Sequence, residues 1–457
     1  MILAVYLYLG SDAGIVVNFD DAFYAASIAK PLSSLTGIPW GAASFGFFAM
    51  GRIFYIFTGS LFTATTAEPI TAILLTIITL YMIGRRYGSR FGGISAAVLF
   101  AFNPLVYAYS LRLLPDLFIT MLLSFAILMT IYIKKRSYAY FACGLVVGLG
   151  IFFGVQVLLS LLAYLIFAVS LVYVKKSKKK ALKILYAAFG IAIAIALFLL
   201  VQELIFRNPF FVVNGFETFN IEEMPIAPHN NYYFYVLFPI SNVGSLAGSG
   251  AEPYSTLGIL SLIFIGANII LLYKKRFDIL PYTFASAAFV LYILFGTENI
   301  SSYLPILHMN RLLLPIVLLF SIGSGLALGL ARRKIQAVPV LAFLTFYVVI
   351  SFQYYGYAVS YYNYFNRNQY LATEQISNYL NTLNLSRYNI QGNVTQLPIL
   401  LCASLKTTPV SCTGGPTPIK GINCTEKNTI LVLDVPYCGN TFVFSNRSLS
   451  YYIYINT

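Results

Sequence analysis

The sequence has very few charged residues. Asp, Glu, Lys and Arg together make up 10% of its 457 residues, whereas a typical soluble domain contains about 25%. There are only 15 acidic residues, two histidines and one tryptophan, while apolar residues reach 59%. This composition excludes a soluble globular protein and a disordered one. It predicts a chain that lies mostly in lipid.

Several motifs that carry known chemistry are also absent. The sequence has no Gly-x-x-x-x-Gly-Lys-Ser/Thr segment, which argues against an ATP-driven pump. It has no Asp-x-Asp, the metal–nucleotide clamp of soluble sugar-nucleotide transferases, and no His-Glu-x-x-His zinc motif. The apolar runs contain almost no ionisable residues, whereas an ion-coupled transporter needs such residues within the membrane.

Basic residues are in excess, and their placement is more informative than the net charge of +14. Five short clusters hold 18 of the 29 Lys and Arg residues, and Asp278 is the one acidic residue beside any of them. A nucleic-acid-binding domain gathers such residues on one face. Here they separate apolar runs, so we expect no nucleic-acid partner and place the clusters in the cytoplasm. The clusters are Arg85/Arg86/Arg90, Lys134/Lys135/Arg136, residues 175–183, Lys274/Lys275/Arg276 and Arg332/Arg333/Lys334.

Apolar runs of about 17–25 residues are long enough to span a bilayer. With the basic clusters inside, the runs predict about eleven spans, a cytoplasmic N-terminus and an outside C-terminus. The apolar stretch 41–61 breaks the alternation and contains Arg52, so we expect an interfacial or re-entrant helix there. The first span has only about nine apolar residues; either its helix is short or upstream residues are missing. The expected spans are 1–10, 69–84, 91–109, 114–133, 138–153, 157–174, 181–204, 256–273, 279–296, 312–331 and 337–355.

The fold class that follows is an all-α polytopic membrane protein with a C-terminal extracytoplasmic α/β domain. The transmembrane domain covers residues 1–355, with long outside loops at 11–68 and 203–255. The second domain covers residues 356–457. Its pattern predicts one helix and three strands, and these lie at 368–383, 429–435, 441–444 and 451–455.

Cysteines and glycosylation acceptors are concentrated on the expected outside. An even number of cysteines there predicts two disulfides, with three possible pairings. A metal site is the weaker alternative, because the cysteines form no Cys-x-x-Cys and have no histidine nearby. Five Asn-x-Ser/Thr acceptors fit a glycoprotein in an archaeal cell membrane or a secretory-pathway membrane. The residues are Cys402, Cys412, Cys424 and Cys438, and Asn299, Asn384, Asn393, Asn423 and Asn446.

Polar side chains that suit a reaction site are expected just outside the membrane. A carboxylate there can take a proton from an acceptor hydroxyl. A guanidinium can bind a departing phosphate through two hydrogen bonds. The expected topology brings three segments to the outer surface of the membrane. Their polar residues are Asp20 and Asp21, Arg112 and Asp116, and His308 and Arg311.

These residues stand in segments that resemble the GT-C glycosyltransferases. The closest branch is the protein O-mannosyltransferase and aminoarabinose-transferase type. The similarity covers most of residues 15–330 and lies in the order of its motifs. Two positions depart from the family pattern: Asp21 replaces a glutamate, and the turn 153–156 lacks the usual lysine. The matching segments are Asp20-Asp21-Ala-Phe-Tyr24, the apolar stretch 38–59, Gly84-Arg85-Arg86-Tyr87-Gly88, Asn103-Pro104 with Pro115-Asp116, the Gly-rich 144–150, and His308–Pro315.

The resemblance implies an inverting glycosyltransferase of the hexosyl or pentosyl type. Its donor would be a sugar on polyprenyl (dolichyl) phosphate, and its acceptor a glycan or protein on the outer face. Asp20 would act as the base, with Asp21 and Asp116 orienting the acceptor. The lipid phosphate would be held by Arg311 and Arg112, close to His308. A divalent metal is possible but is not required by a phosphate held by arginine.

Two plainer interpretations stay open. Asp20, Asp21 or Asp116 can serve as a helix N-cap, a position that aspartate favours. The whole chain can also be a non-catalytic membrane scaffold of the same fold, with a tail that binds a partner.

Overall fold

The computed structural model describes residues 24, 25, 27–29, 44–87, 89–110, 112–133, 137–154, 156–176, 179–212, 214, 257–295, 310–330, 337–349, 351, 368–392, 405, 411–414, 429–433, 442–446 and 449–456. Its helices are α1 (Phe45–Thr58), α2 (Leu61–Tyr87), α3 (Arg90–Ala101), α4 (Pro104–Ser110), α5 (Asp116–Tyr132), α6 (Ala139–Gly148), α7 (Val157–Val174), α8 (Lys180–Phe206), α9 (Leu257–Tyr273), α10 (Leu280–Phe295), α11 (Leu314–Leu328), α12 (Ala337–Val349) and α13 (Asn368–Leu380). Short 3₁₀ turns lie at Leu149–Phe152, Phe277–Ile279, Asn310–Leu313 and Leu385–Arg387. The strands are β1 (Asn389–Gly392), β2 (Ser411–Gly414), β3 (Thr429–Leu433), β4 (Phe442–Asn446) and β5 (Leu449–Asn456).

Apolar helices dominate the first 350 residues. Within the described ranges, α2, α7 and α8 are long and apolar enough to cross a membrane, and eight shorter apolar helices have 10–17 residues. Helix α2 corresponds to the expected span 69–84. It begins at Leu61, eight residues before the expected start. The expected first span, 1–10, lies outside the described residues. The count of eleven spans therefore stays a prediction.

Helix α11 is the central helix of this bundle. Each of the 13 residues from Leu314 to Leu326 is buried. The helix packs against α2, α3, α5, α9 and α10. On the α9 side, the rings of Phe264 and Phe320 stack with centroids 4.4 Å apart. Arg311 lies in the 3₁₀ turn just before this helix, so the best-packed element of the bundle fixes the position of its backbone.

The expected span 91–109 is broken in two at Asn103. Pro104 cannot donate a backbone hydrogen bond and begins α4, a position that proline tolerates. The Asn103 side chain accepts a hydrogen bond from the backbone of Leu105 at 3.0 Å. Its amide donates to the Tyr347 hydroxyl at 3.3 Å, which in turn donates to the Leu99 carbonyl at 3.0 Å. The Asn-Pro pair thus ends one helix, starts another and ties both to α12.

Helix α1 covers 14 residues of the stretch 41–61 and rises about 21 Å. Its Phe45 ring packs edge-on against Phe152 with centroids 5.5 Å apart. Phe152 ends the 3₁₀ turn after α6, at the end that the expected topology puts outside. This contact places the start of α1 at that end of the bundle, and the absence of a span in the stretch 41–61 stays a prediction.

Residues after 368 form a five-stranded sheet with the order β2-β1-β3-β5-β4. Strand β1 runs parallel to β2 and β3, whereas β5 runs antiparallel to β3 and β4. Helix α13 packs on the sheet. This part has its own apolar cluster, separate from that of the bundle, formed by Ile376, Leu380, Leu385, Ile390, Ile430, Val432 and Ile453.

Helix α13 and strands β3, β4 and β5 lie within a few residues of the expected positions. Strands β1 and β2 were not expected from the sequence. Their segments, Asn-Ile-Gln-Gly and Ser-Cys-Thr-Gly, contain few residues with high strand propensity. They pair because the fold brings β1 beside β3 and β2 beside β1 at the sheet edge, which no local pattern reveals.

The disulfide and glycosylation candidates are described only in part. Cys412 lies in β2, with its backbone opposite Ile390. Asn384 precedes a 3₁₀ turn, and its Oδ1 accepts hydrogen bonds from the Ser386 backbone and hydroxyl at 3.3 and 2.8 Å. Asn446 ends β4 opposite Leu449. The other candidates, Cys402, Cys424, Cys438, Asn299, Asn393 and Asn423, lie outside the described residues.

We predict that the sheet region is outside the membrane and carries at least one disulfide. Intact cells or sealed vesicles should allow an impermeant thiol reagent to label Cys412 only after reduction. Buried Cys143, which is a free thiol in α6, should stay unlabelled in both conditions. Labelling of Cys412 without reduction, or only after the membrane is opened, would contradict the prediction.

Candidate active site

The tyrosine of the Asp-Asp-x-x-Tyr motif anchors the first loop to α1. Tyr24, Ala25 and residues 27–29 are helical and are called the motif helix here. The Tyr24 side chain is 5% exposed. Its ring centroid lies 5.5 Å from those of both Phe47 and Phe48. Buried aromatic pairs of this kind each add about 0.5–1.5 kcal/mol beyond area burial. The motif helix is therefore fixed against α1.

Asp20 and Asp21, which precede the motif helix, lie outside the described residues. The chain is anchored four residues after Asp20 and three after Asp21. This anchor limits the range of positions that either carboxylate can reach. The interpretation of these residues as N-caps is not tested by the described structure.

Arg112 and Asp116 lie on one turn between α4 and α5. The guanidinium carbon of Arg112 lies 5.9 Å from the centroid of the Tyr109 ring. Asp116 is the first residue of α5 and is 4% exposed. The N-cap position belongs to Pro115, which has no capping side chain. Asp116 is therefore not the N-cap, although its charge favours the positive end of the helix dipole.

An aromatic layer joins this turn to the motif helix. Phe47 of α1 packs against Phe118 of α5 with centroids 5.8 Å apart. Phe118 stacks in turn on Phe153 at 5.4 Å and an angle of 9°. Because Tyr24 packs on Phe47 and Phe118 is two residues beyond Asp116, the motif helix and the Asp116 turn share one wall.

Arg311 comes to the same end of the bundle. It lies in the 3₁₀ turn Asn310–Leu313, and this turn contacts α4. Helix α4 ends at Ser110, two residues before Arg112. The backbones of Arg311 and Arg112 are thus brought into one region of the bundle. His308 lies outside the described residues.

A buried carboxyl group, Glu68, lies behind the motif helix and has no place in the sequence-based site. Its side chain is 0% exposed, and neither carboxylate oxygen has a hydrogen-bond partner among the described residues. A methyl group built on Gly51 of α1 would lie 2.6 Å from Glu68 Oε2 and 2.5 Å from Ile28 Cδ1. Glu68 therefore abuts the crossing of α1 and the motif helix.

The sequence contained a weak signal for Glu68. It is an isolated acid at the start of a bilayer-length apolar run, and such residues are usually functional. The sequence-based topology placed it at the end of the loop 11–68. The structure instead places it two helical turns into α2. No metal cluster accompanies it: the described ranges contain no group of three His, Cys, Asp or Glu side chains that could hold an ion.

Known proteins share both the sequence pattern and the fold. Residues 43–202 match the family described as dolichyl-phosphate-mannose-protein mannosyltransferase. The fold is similar to that of ArnT from Cupriavidus metallidurans bound to undecaprenyl phosphate. The TM-score is 0.61 at 13% identity, and the match covers 99% of this chain and 97% of that chain. The apo state of that protein gives a TM-score of 0.56 at 14% identity, over 98% and 96% of the two chains.

A more distant likeness exists to the Archaeoglobus fulgidus oligosaccharyltransferase in complex with Zn and sulfate. Its TM-score is 0.50 at 12% identity, over 95% of this chain and 68% of that chain. No curated protein sequence matches this chain significantly. The family match over residues 43–202 and the similar fold confirm the resemblance to GT-C glycosyltransferases that the motifs indicated.

Proposed function

We propose that this chain is an inverting glycosyltransferase that moves a sugar from a polyprenyl phosphate to a glycan or protein acceptor on the outer face of the membrane. One observation carries the proposal: the motif helix and the Asp116 turn share an aromatic wall through Phe47. This wall holds the segments that bear the candidate acid and base groups together. The match to mannosyltransferases and the fold of a protein that binds undecaprenyl phosphate support the same reaction class.

In the proposed reaction, an acceptor hydroxyl oxygen attacks the anomeric carbon of the donor sugar. Asp20 takes the hydroxyl proton as the new carbon–oxygen bond forms. The bond from the anomeric carbon to the phosphate oxygen breaks on the opposite side, which inverts the configuration. The electron pair of that bond leaves with the polyprenyl phosphate, and the guanidiniums of Arg311 and Arg112 stabilise its new charge.

The remaining groups would position these reactants. Asp21 and Asp116 would orient the acceptor, and Asp116 lies four residues after Arg112, at the start of α5. His308 would lie beside the lipid phosphate. A divalent metal is compatible with this scheme, but no step depends on one.

The donor most directly suggested by the family match is dolichyl-phosphate mannose. A test uses the purified full chain in vesicles with radiolabelled dolichyl-phosphate mannose and membrane extract as acceptor. We expect label to move from the lipid to the acceptor, with release of dolichyl phosphate. If dolichyl-phosphate mannose binds but no label moves, the non-catalytic scaffold becomes the better account. If it does not bind, the donor class is wrong.

We predict that Gly51→Ala lowers transfer while leaving the protein folded. The new methyl group would overlap Ile28 and the Glu68 carboxyl, and both are flexible enough to move. Their movement would displace the motif helix, and with it Asp20. A misplacement near 1 Å can cost about 100-fold in rate, so we expect a loss of about 10- to 100-fold in initial rate.

The matched control is Gly266→Ala, because no atom lies within 4 Å of the methyl group it would add. This variant should transfer sugar at the normal rate. Equal activity of Gly51→Ala and Gly266→Ala would show that the motif helix does not need the position described for it.

A further inference from the structure

Two tyrosine hydroxyls are buried without partners at the end of the bundle opposite the candidate active site. Tyr282 of α10 is 1% exposed. Its hydroxyl and that of Tyr87, the last residue of α2, have no hydrogen-bond partner among the described residues. A buried polar group left without a partner costs about 1–3 kcal/mol. Two such donors in one region therefore indicate a polar ligand.

The two hydroxyls belong to one cluster, formed where four elements meet. The Tyr282 ring packs on Phe167 of α7 with centroids 5.2 Å apart. The loop between α9 and α10, which leads to Tyr282, contacts Tyr87. Lys175, directly after α7, places its Nζ 5.2 Å from the centroid of the Tyr87 ring. Arg276, after α9, donates a hydrogen bond from Nη2 to the Tyr87 carbonyl at 3.4 Å.

The cluster carries more positive than negative charge. Arg276 is paired with Asp278 at 3.1 Å. Lys175 is near two further cations, Arg86 and Lys183, and all three lie over tyrosine rings. Burial lowers the pKa of the Lys175 ammonium, and the nearby Arg86 and Lys183 charges lower it further, although Asp278 opposes them. An anionic ligand would offset the unfavourable burial and mutual repulsion of these positive charges.

We propose that the cytoplasmic ends of α2, α7 and α10 form a binding site for a phosphate group. The hydroxyls of Tyr87 and Tyr282 donate hydrogen bonds to it, and Lys175 supplies its charge. Hydroxyl and ammonium donors around a buried centre suit phosphate oxygens. The ends of the spans meet the inner leaflet, so an anionic lipid headgroup can reach the site from the membrane and free phosphate can reach it from the cytoplasm.

This site is independent of the proposed sugar transfer. It lies at the ends of helices that bear the basic clusters, whereas the candidate active site lies at the other ends. It uses none of the residues assigned to the reaction. Its test is therefore a binding measurement that does not depend on whether the chain transfers sugar.

The experiment measures binding of fluorescent dioctanoyl phosphatidylglycerol to the full chain in detergent, with inorganic phosphate as the competitor. Tyr282→Phe removes one hydroxyl and keeps the ring on Phe167. A hydrogen bond to a charged group is worth about 1.5–3 kcal/mol, so we expect binding to weaken by about tenfold or more. Lys175→Gln should weaken it by a similar factor.

The matched control is Tyr173→Phe, on the same end of α7. Tyr173 is 59% exposed, and its ring lies under the Lys180 ammonium. This variant should bind the lipid as the unmodified protein does. Equal affinities of the unmodified protein and Tyr282→Phe, or equal losses in Tyr282→Phe and Tyr173→Phe, would overturn the proposal, as would no binding of either probe. Displacement by millimolar inorganic phosphate would identify free phosphate as the ligand, and resistance to it would identify the lipid.

Discussion

Replacing Asp20 with asparagine is expected to abolish sugar transfer while the protein stays folded and binds its donor. The substitution keeps the shape and the hydrogen-bonding capacity of the side chain but removes the charged oxygen that takes the proton. A positioned general base contributes about 10²–10⁴-fold in rate. The initial rate with radiolabelled polyprenyl-phosphate mannose should fall by that factor, and its binding should change little.

Arg311→Ala provides the contrasting result. Arg311 would contact the phosphate before the reaction as well as during it, so its loss should weaken donor binding in addition to slowing transfer. Asp12→Asn is the matched control for Asp20, because Asp12 lies in the same loop but outside the motif. Full activity of Asp20→Asn would remove Asp20 as the base and leave Asp21 or Asp116 as the candidates.

Gly190→Ala is expected to destabilise the bundle itself. Gly190 of α8 meets α6 so closely that an added methyl group would overlap the carbonyl oxygen of Phe141 and lie 2.7 Å from the Leu145 nitrogen. Both neighbours are backbone atoms, which cannot rotate away, so α6 and α8 must separate. Overpacking of this kind costs about 1–3 kcal/mol. The midpoint of thermal unfolding in detergent should fall.

Gly266→Ala should not destabilise the bundle. Its methyl group meets no neighbour within 4 Å, and alanine favours a helix over glycine by about 0.8–1 kcal/mol. The unfolding midpoint of this variant should stay the same or rise. If Gly190→Ala unfolds at the same temperature as Gly266→Ala, α6 and α8 do not pack as closely at Gly190 as described.

The sequence predicted those features that a local pattern determines. Arg85 and Arg86 lie at the end of α2, and Lys175 follows the end of α7, as the basic clusters between the apolar runs predicted. Alternating apolar residues predicted β3 and β5. The Asn103-Pro104 pair was recognised as a motif, but the break that it makes in the helix depends on Tyr347, 244 residues away.

Features formed by residues distant in the sequence were not predictable. Glu68 looks like the last residue of a loop, and only the approach of Gly51 and Ile28 shows that it is buried behind the motif helix. The buried hydroxyl of Tyr282 suggests a binding site only together with Lys175 on the Tyr87 ring and Arg276 at the Tyr87 carbonyl, and these contacts join residues far apart in the sequence. In a bundle of similar apolar helices, packing partners are not encoded by periodicity, since most faces are equally apolar.

The measurement that tests the central claim most directly follows the donor lipid. The purified full chain and its Asp20→Asn variant are placed in vesicles with dolichyl-phosphate mannose and acceptor extract, and the released dolichyl phosphate is quantified. The account predicts that the unmodified protein releases dolichyl phosphate in step with the mannose gained by the acceptor, and that the variant releases at least about 100-fold less. Equal release by the two proteins, or bound donor that is never consumed by either, would contradict it.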